Sequence, residues 1–225
     1  MEKLSAKEYR AKAKEVCTKH EKKLTPVFLV YFVVMLAVGI INSLTGKTTV
    51  LEDGTVQTTT WFSSVFSFLA AGALAISLAK ISEKVQSDVA VEIKDLLYGF
   101  NDLKRSVLLN LLIGIYTALW SLLLVIPGIV KTVAYSMAYF VANDNPELSA
   151  NECITMSKEM MKGHKMEYFC LMLSYIGWIL LSTLTLGILL IWVMPRMQQA
   201  SYMFYLNISG KKAEANTEPV EIHSI

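Results

Sequence analysis

Long apolar runs separated by short charged stretches set the pattern of this chain. A helix needs about twenty mostly apolar residues to cross a membrane, because the hydrocarbon core is roughly 30 Å thick and each residue adds about 1.5 Å. Runs at 26–44, 61–79 and 106–126 meet that length, and the last carries no charged residue. Pro127-Gly128 follows and predicts a break, since proline has no amide donor. A shorter run covers 129–142, and residues 166–206 stay apolar for about twice one span. Division near 185–187 gives segments at 166–184 and 187–206, six in all. A single span ending near Pro195 with an interfacial tail gives five and puts the C-terminus outside. The six-segment reading is adopted: an all-α, polytopic transmembrane helix bundle. One membrane domain, 24–206, lies between a basic cytoplasmic helix at 1–23 and a polar cytoplasmic tail at 207–225.

The connections have periodicities of their own. Val89, Ile93, Leu96, Leu97, Phe100 and Leu103 recur at helical spacing, with Asp95 and Asp102 at other angles, and predict an amphipathic helix on the inner surface. A second starts at Ser149, with Glu152 completing a capping box and Cys153, Met156, Met160 and Met161 on an apolar side. The methionines read as packing residues. Ser5 and Glu8 make the same box in the N-terminal segment. Asp53-Gly54, flanked by Val50-Leu51 and Val56, signals a two-residue hairpin in the outer loop; a disordered threonine-rich loop is the other reading. Ser67, Ala71, Ala75 and Ala79 make a smooth stripe that Gly114 and Ala118 can meet.

Composition agrees: 54% of the residues are hydrophobic and 18% are charged, against about a quarter charged in soluble domains. The first apolar run begins after a highly charged segment with no cleavage-like site, so it reads as a retained signal anchor. Cationic loops mark the cytoplasmic side. Lys3, Lys7, Arg10, Lys12, Lys14, Lys19, Lys22 and Lys23 precede the first span. Lys80, Lys84, Lys94, Lys104 and Arg105 follow the second, Lys158, Lys162 and Lys165 follow the fourth, and Lys211 and Lys212 follow the sixth. The outer connections offer Lys47 and Lys131. Six segments in the cytoplasmic membrane, with both termini cytoplasmic, satisfy this asymmetry.

No aspartate or glutamate lies within the six segments beyond Glu167, at the very start of the fifth, and His20, His164 and His223 are scattered. Cys17, Cys153 and Cys170 lack paired spacing. No phosphate-binding glycine loop or nucleophile elbow is present. The expectation is a protein with no catalytic residue, metal or cofactor. Without aromatic-basic interleaving, no nucleic-acid partner is expected either. Lys131 and Arg196 stand out, because charges within apolar segments are costly and default to functional hypotheses. With the amides of a helix opening near Gly128, they form a candidate site for an anion or a lipid phosphate. The plainer alternative has each cation snorkelling along its own stem to an interface.

Several motifs occur in order: Leu96-Leu97-Tyr98-Gly99-Phe100, the run at 111–115, Ile126-Pro127-Gly128-Ile129, Ala134-Tyr135-Ser136-Met137-Ala138, Asn143-Asp144-Asn145-Pro146, Met161-Lys162-Gly163-His164-Lys165 and Ile176-Gly177-Trp178. As a set they resemble the bacterial integral membrane family catalogued as domain of unknown function 975. The resemblance implies a polytopic protein of unassigned activity. In that family an aromatic often follows the proline equivalent to Pro195, and Arg196 departs from this. Read physically, Asn143, Asp144, Asn145 and Pro146 stop one helix and start the next. Gly163 ends the helix after Ser149, leaving His164 and the flanking lysines to face lipid phosphates.

These readings point to a non-catalytic small transport component or a lipid-interacting envelope accessory. Its expected partners are membrane lipids, anionic ones included, and other membrane proteins or further copies of itself. The alternatives are an enzyme at the cytoplasmic interface, for which Asp144, His164 and Glu167 are the one cluster on offer, and a scaffold or regulatory subunit. In intact cells an impermeant thiol reagent should leave Cys17 and Cys153 unmodified and label a cysteine introduced at Gly54; the reverse pattern overturns the orientation.

Overall fold

The structure, a computed structural model, describes residues 4–45, 47–50, 56–59, 61–123, 125–185 and 187–211. Nearly all of them are helical. In chain order the elements are α1 (Ala6–Lys19), α2 (Glu21–Thr45), strands β1 (Lys47–Val50) and β2 (Val56–Thr59), α3 (Trp61–Gln86), a 3-10 helix (Ile93–Phe100), α4 (Leu103–Leu123), α5 (Val125–Tyr135), α6 (Ala138–Asp144), α7 (Ala150–Met160), α8 (Lys165–Leu184) and α9 (Leu190–Ser209). Among the described residues three helical stretches are long and apolar enough to cross a membrane: Glu21–Ile41, Leu103–Leu122 and Lys165–Leu184.

Both capping boxes form. Ser5 Oγ accepts from the Glu8 amide while Glu8 accepts from the Ser5 amide, and Ser149 and Glu152 repeat the exchange. Each box satisfies two amides that would otherwise lack partners at a helix start. β1 and β2 pair antiparallel, as the outer-loop pattern predicts. Val50 pairs with Val56, one residue short of the Gln57 partner that a two-residue turn implies, because loop length sets hairpin register. The Asp53-Gly54 turn itself lies outside the described residues.

Three other expectations are corrected. Pro127-Gly128 does not separate two helices: α4 ends at Leu123 and α5 starts at Val125, so the pair sits in the first turn of α5. Proline is tolerated there because that amide has no intrahelical partner anyway. The stretch 129–142 is not one helix, since a turn at Ser136-Met137 divides α5 from α6. The amphipathic pattern from Val89 forms only a 3-10 helix, in which Asp95 turns inward to meet Lys84 Nζ at 2.6 Å and to accept from the Glu92 amide at 2.8 Å. Local hydrogen bonding by an acid outweighs helical periodicity over so short a stretch.

Packing centres on α9, whose Val193, Ala200, Tyr202, Phe204 and Tyr205 are buried. Aromatic rings join it to its neighbours, with centroids 5.5 Å apart for Tyr9–Phe204, 5.2 Å for Tyr168–Phe204 and 5.6 Å for Phe140–Tyr202. Such offset and tilted pairs add specificity to burial. A second cluster gathers Cys17, Leu24, Val27, Phe28, Tyr31, Ile81 and Val85 between α1, α2 and α3. The α3–α4 contact runs through Gly72 rather than through the small-residue stripe. A side chain at Gly72 would strike the Ser106 backbone, whereas Ser67 and Ala71 face a groove shared with α2.

The fold also contains an internal repeat. Ser5, Ala6, Glu8, Lys14, Glu15 and His20 of the first amphipathic helix recur at the same offsets as Ser149, Ala150, Glu152, Lys158, Glu159 and His164. Buried Tyr9, Ala13 and Cys17 correspond to buried Cys153, Ser157 and Met161. α1 docks on the α8–α9 pair, and α7 docks on the α4–α5 pair.

Gly99 is the tightest joint. Its amide donates to Ser77 Oγ at 2.9 Å, its carbonyl accepts from Ser106 Oγ at 2.8 Å, and a side chain there would run into the Ala73 carbonyl. Gly99→Ala should therefore destabilise the fold by about 1–3 kcal/mol, the usual cost of overpacking. Thermal unfolding in detergent checks this, with Gly177→Ala, which meets nothing within 4 Å, as the variant that leaves the midpoint in place or raises it.

Candidate functional site

α1 is amphipathic by sequence: Tyr9, Ala13 and Cys17 fall on one face and are buried, leaving the charged residues around the rest of the helix. It runs antiparallel to α9. Tyr9 packs against Phe204 and accepts from Asn207 Nδ2 at 2.7 Å, while Cys17 and Thr18 share a wall with Pro195 and Arg196. Between α1, α8 and α9 this docking leaves an open cleft of about 570 Å³. Lys7, Arg10 and Lys14 come from α1, Ser174, Tyr175 and Trp178 from α8, and Val193 and Arg196 from α9.

Lys7, Arg10, Lys14 and Arg196 line this cleft, and among the described residues no carboxylate does. Arg10 is held in place: Nη1 donates to the Ser174 carbonyl at 3.1 Å, and the guanidinium lies 5.5 Å from the Tyr175 ring centroid. Tyr175 in turn donates its hydroxyl to the Arg196 carbonyl at 3.3 Å, so one side chain ties both arginine-bearing helices together. Among the described residues none of Lys7, Arg10, Lys14 and Arg196 makes an ion pair with an acid. Glu8 of α1 is engaged with Ser5, whose hydrogen bonds hold its carboxyl below the usual range. Guanidinium and ammonium groups gathered around one cleft are the chemistry that recognises anions through charge-assisted hydrogen bonds.

Cys17 lies beneath this face. Burial pushes its thiol up to about 12 against the opposing effect of Arg196, so it is a packing residue rather than a nucleophile.

The structure does not bring Lys131, Arg196 and Gly128 together. Lys131 lies over Trp120 of α4, with Nζ 4.2 Å from the ring centroid. This cation–π contact gives its charge a local partner. Gly128 abuts Ser121, where α5 folds back on α4 and any side chain would collide. Arg196 faces α1 and α8 instead. The partners that it does acquire, Lys7, Arg10 and Lys14, are far away in sequence. Their spacing along one helical face was the signal available, but without a partner surface it reads as a solvated stripe.

The punctuation residues also acquire surroundings. Asn143 and Asp144 end α6 as expected but are buried against α3 and α9. Asn143 Nδ2 donates to Glu83 at 2.7 Å and to Asp144 at 3.1 Å, and Asp144 accepts from the Tyr205 hydroxyl at 2.8 Å and from Lys211 Nζ at 2.6 Å. Lys80 completes the network by pairing with Glu83 at 2.9 Å. Two acids and two lysines balance. Asn145 closes the helix by donating from Nδ2 to the Val141 carbonyl, and Pro146 enters the turn beyond. Gly163, at φ 85°, joins α7 to α8. His164 pairs with Glu167 at 3.1 Å, so Asp144 belongs to a different cluster from those two.

Residues 122–212 match the family model described as "Protein of unknown function (DUF975)". This is the family that the motifs resemble. The match takes in Pro127-Gly128, Asn143–Pro146 and Gly163-His164 and leaves the runs at 96–100 and 111–115 outside it. No curated protein and no solved structure matches the chain.

Burial of Cys17 and Cys153 against exposed Cys170 sets an expected outcome. A membrane-permeant maleimide should label Cys170 alone in the folded protein and all three thiols after denaturation. Labelling of native Cys17 would mean that α1 is not docked.

Proposed function

We propose that the protein is a multi-pass cytoplasmic-membrane protein without chemistry of its own, an accessory that holds the phosphate of an anionic lipid at its inner face. The observation that carries this reading is the cleft lined by four cations and, among the described residues, by no acid. Anionic lipids of the cytoplasmic leaflet attract basic segments, and basic pockets between helices there take up lipid headgroups.

The depth of the cleft supports the same reading. Helix α1 is too charged to enter hydrocarbon, so the parts of α8 and α9 that it covers, around Tyr168 to Tyr175 and Arg196 to Asn207, lie in the headgroup layer. Past them, α8 exposes Trp178, Ile179, Leu180 and Leu181. Tryptophan favours the boundary between headgroups and chains. The cleft thus sits where a phosphate would be, with apolar surface above it for the chains. The α8–α9 turn comes alongside α2 at Phe32, where Gly187 is packed, about halfway along that helix. The last two of six segments would then be a shallow hairpin that enters and leaves on the inner side, which keeps both termini cytoplasmic.

Arg196→Gln keeps the stem and removes the charge. It should lower the occupancy of co-purified anionic lipid about tenfold, given that charge-assisted hydrogen bonds contribute roughly 1.5–3 kcal/mol. Unchanged occupancy, read by mass spectrometry of the intact complex, overturns the proposal.

A further inference from the structure

We infer that the ligand of this cleft is a headgroup bearing two phosphates, an inference that rests on the lipid-binding reading and narrows it. Lys7, Arg10 and Lys14 stand at i, i+3 and i+7 along α1, so their backbone positions spread over about 10 Å. Arg196 lies at the Lys14 end, because it also borders the neighbouring cavity that Cys17 and Thr18 line. One phosphate held between Lys14 and Arg196 leaves Lys7 two turns away and unmet. Two phosphates joined by a short polyol span the row, one at Lys14 and Arg196 and the other at Lys7, with Arg10 between them. The charges agree: a single phosphodiester neutralises one of the four cations, whereas a doubly phosphorylated headgroup neutralises at least two.

The internal repeat is a built-in control. α7 uses the same capping box and the same buried positions to dock on α4 and α5, yet it carries Asn151 and Ile154 where α1 has Lys7 and Arg10. Ile154 is buried and Asn151 meets the Tyr116 hydroxyl. Docking of such a helix therefore requires no cation at either position, although Arg10 adds contacts of its own to α8 and Lys14 has a counterpart in Lys158. The wall beyond the cations is Trp178 and Val193, continuous with the exposed apolar face of α8. A soluble diphosphate would leave that wall uncovered, whereas a lipid places its chains on it.

The test uses the full-length protein in nanodiscs of a neutral lipid. The probes are cardiolipin, which has two phosphates joined by a glycerol, phosphatidylglycerol, which has one, and inorganic pyrophosphate. At equal phosphate concentration cardiolipin should bind at least tenfold more tightly than phosphatidylglycerol. The double variant Lys7→Gln, Lys14→Gln should bring that ratio near one, and Lys7→Arg, Lys14→Arg should restore it. Protection of Cys17 from maleimide verifies that α1 stays docked in each variant. Equal affinity per phosphate in the wild type overturns the two-phosphate headgroup while leaving a lipid-binding protein. Binding of neither anionic lipid overturns both readings, and displacement of cardiolipin by stoichiometric pyrophosphate shows that the ligand is a soluble anion.

Discussion

The docking of α1 on α9 is the contact on which the rest of this structure depends. Tyr9 reaches Phe204 and Asn207 at one end, and Cys17 reaches the Pro195 turn at the other. Because α1 is a charged helix, where it packs decides which parts of α8 and α9 lie beside charge. Because its buried face is narrow, Lys7, Arg10 and Lys14 line the cleft beside the neighbouring α8, while Lys19 pairs with Asp88. A single packing interface thus sets which side chains of α8 and α9 are covered and which cations are presented beside them.

A second constraint operates on the far side of α9. Glu83, Asn143 and Asp144 join α3, α6 and α9 through hydrogen bonds to Tyr205, Lys80 and Lys211. A buried ion pair adds little net stability, but removing one partner from it is costly. This network therefore fixes how α6 meets α9 more than it strengthens the fold. It also explains why an Asn-Asp-Asn-Pro stretch that reads as a turn is drawn inside the protein. The carboxylate that ends α6 is the same one that receives the cation at the end of α9.

The recurrence of the α1 pattern in α7 shows how one local design serves two ends. Both helices open with a reciprocal serine–glutamate cap and bury the same three positions. Beside that face they differ: α1 carries Lys7 and Arg10, whereas α7 has Asn151 and a buried Ile154 at the same positions. The first leaves a cleft lined by cations, and the second closes against α4.

Local information was legible wherever its cause is local. Capping boxes, the paired strands, the long apolar helices α2, α4 and α8, and the helix ends at Asn145 and Gly163 follow from hydrogen-bond geometry and from runs of residue type. Helix boundaries set by competition were less so. The Pro127-Gly128 pair starts a helix rather than separating two, and Asp95 overrides a helical period by bonding to Glu92 and Lys84. Of the candidate site, the cost of a charge in an apolar run singled out Lys131 and Arg196, but not the side chains beside which each comes to lie. Lys131 is satisfied by Trp120 one helix away, and the cations that do join Arg196 arrive from the opposite end of the chain. Sequence by itself determined that the chain has helices suited to a membrane, with amphipathic helices between them, because hydropathy and capping act over a few residues. Only the tertiary structure decided which charges meet, because helices pack through faces whose partners are far away along the chain.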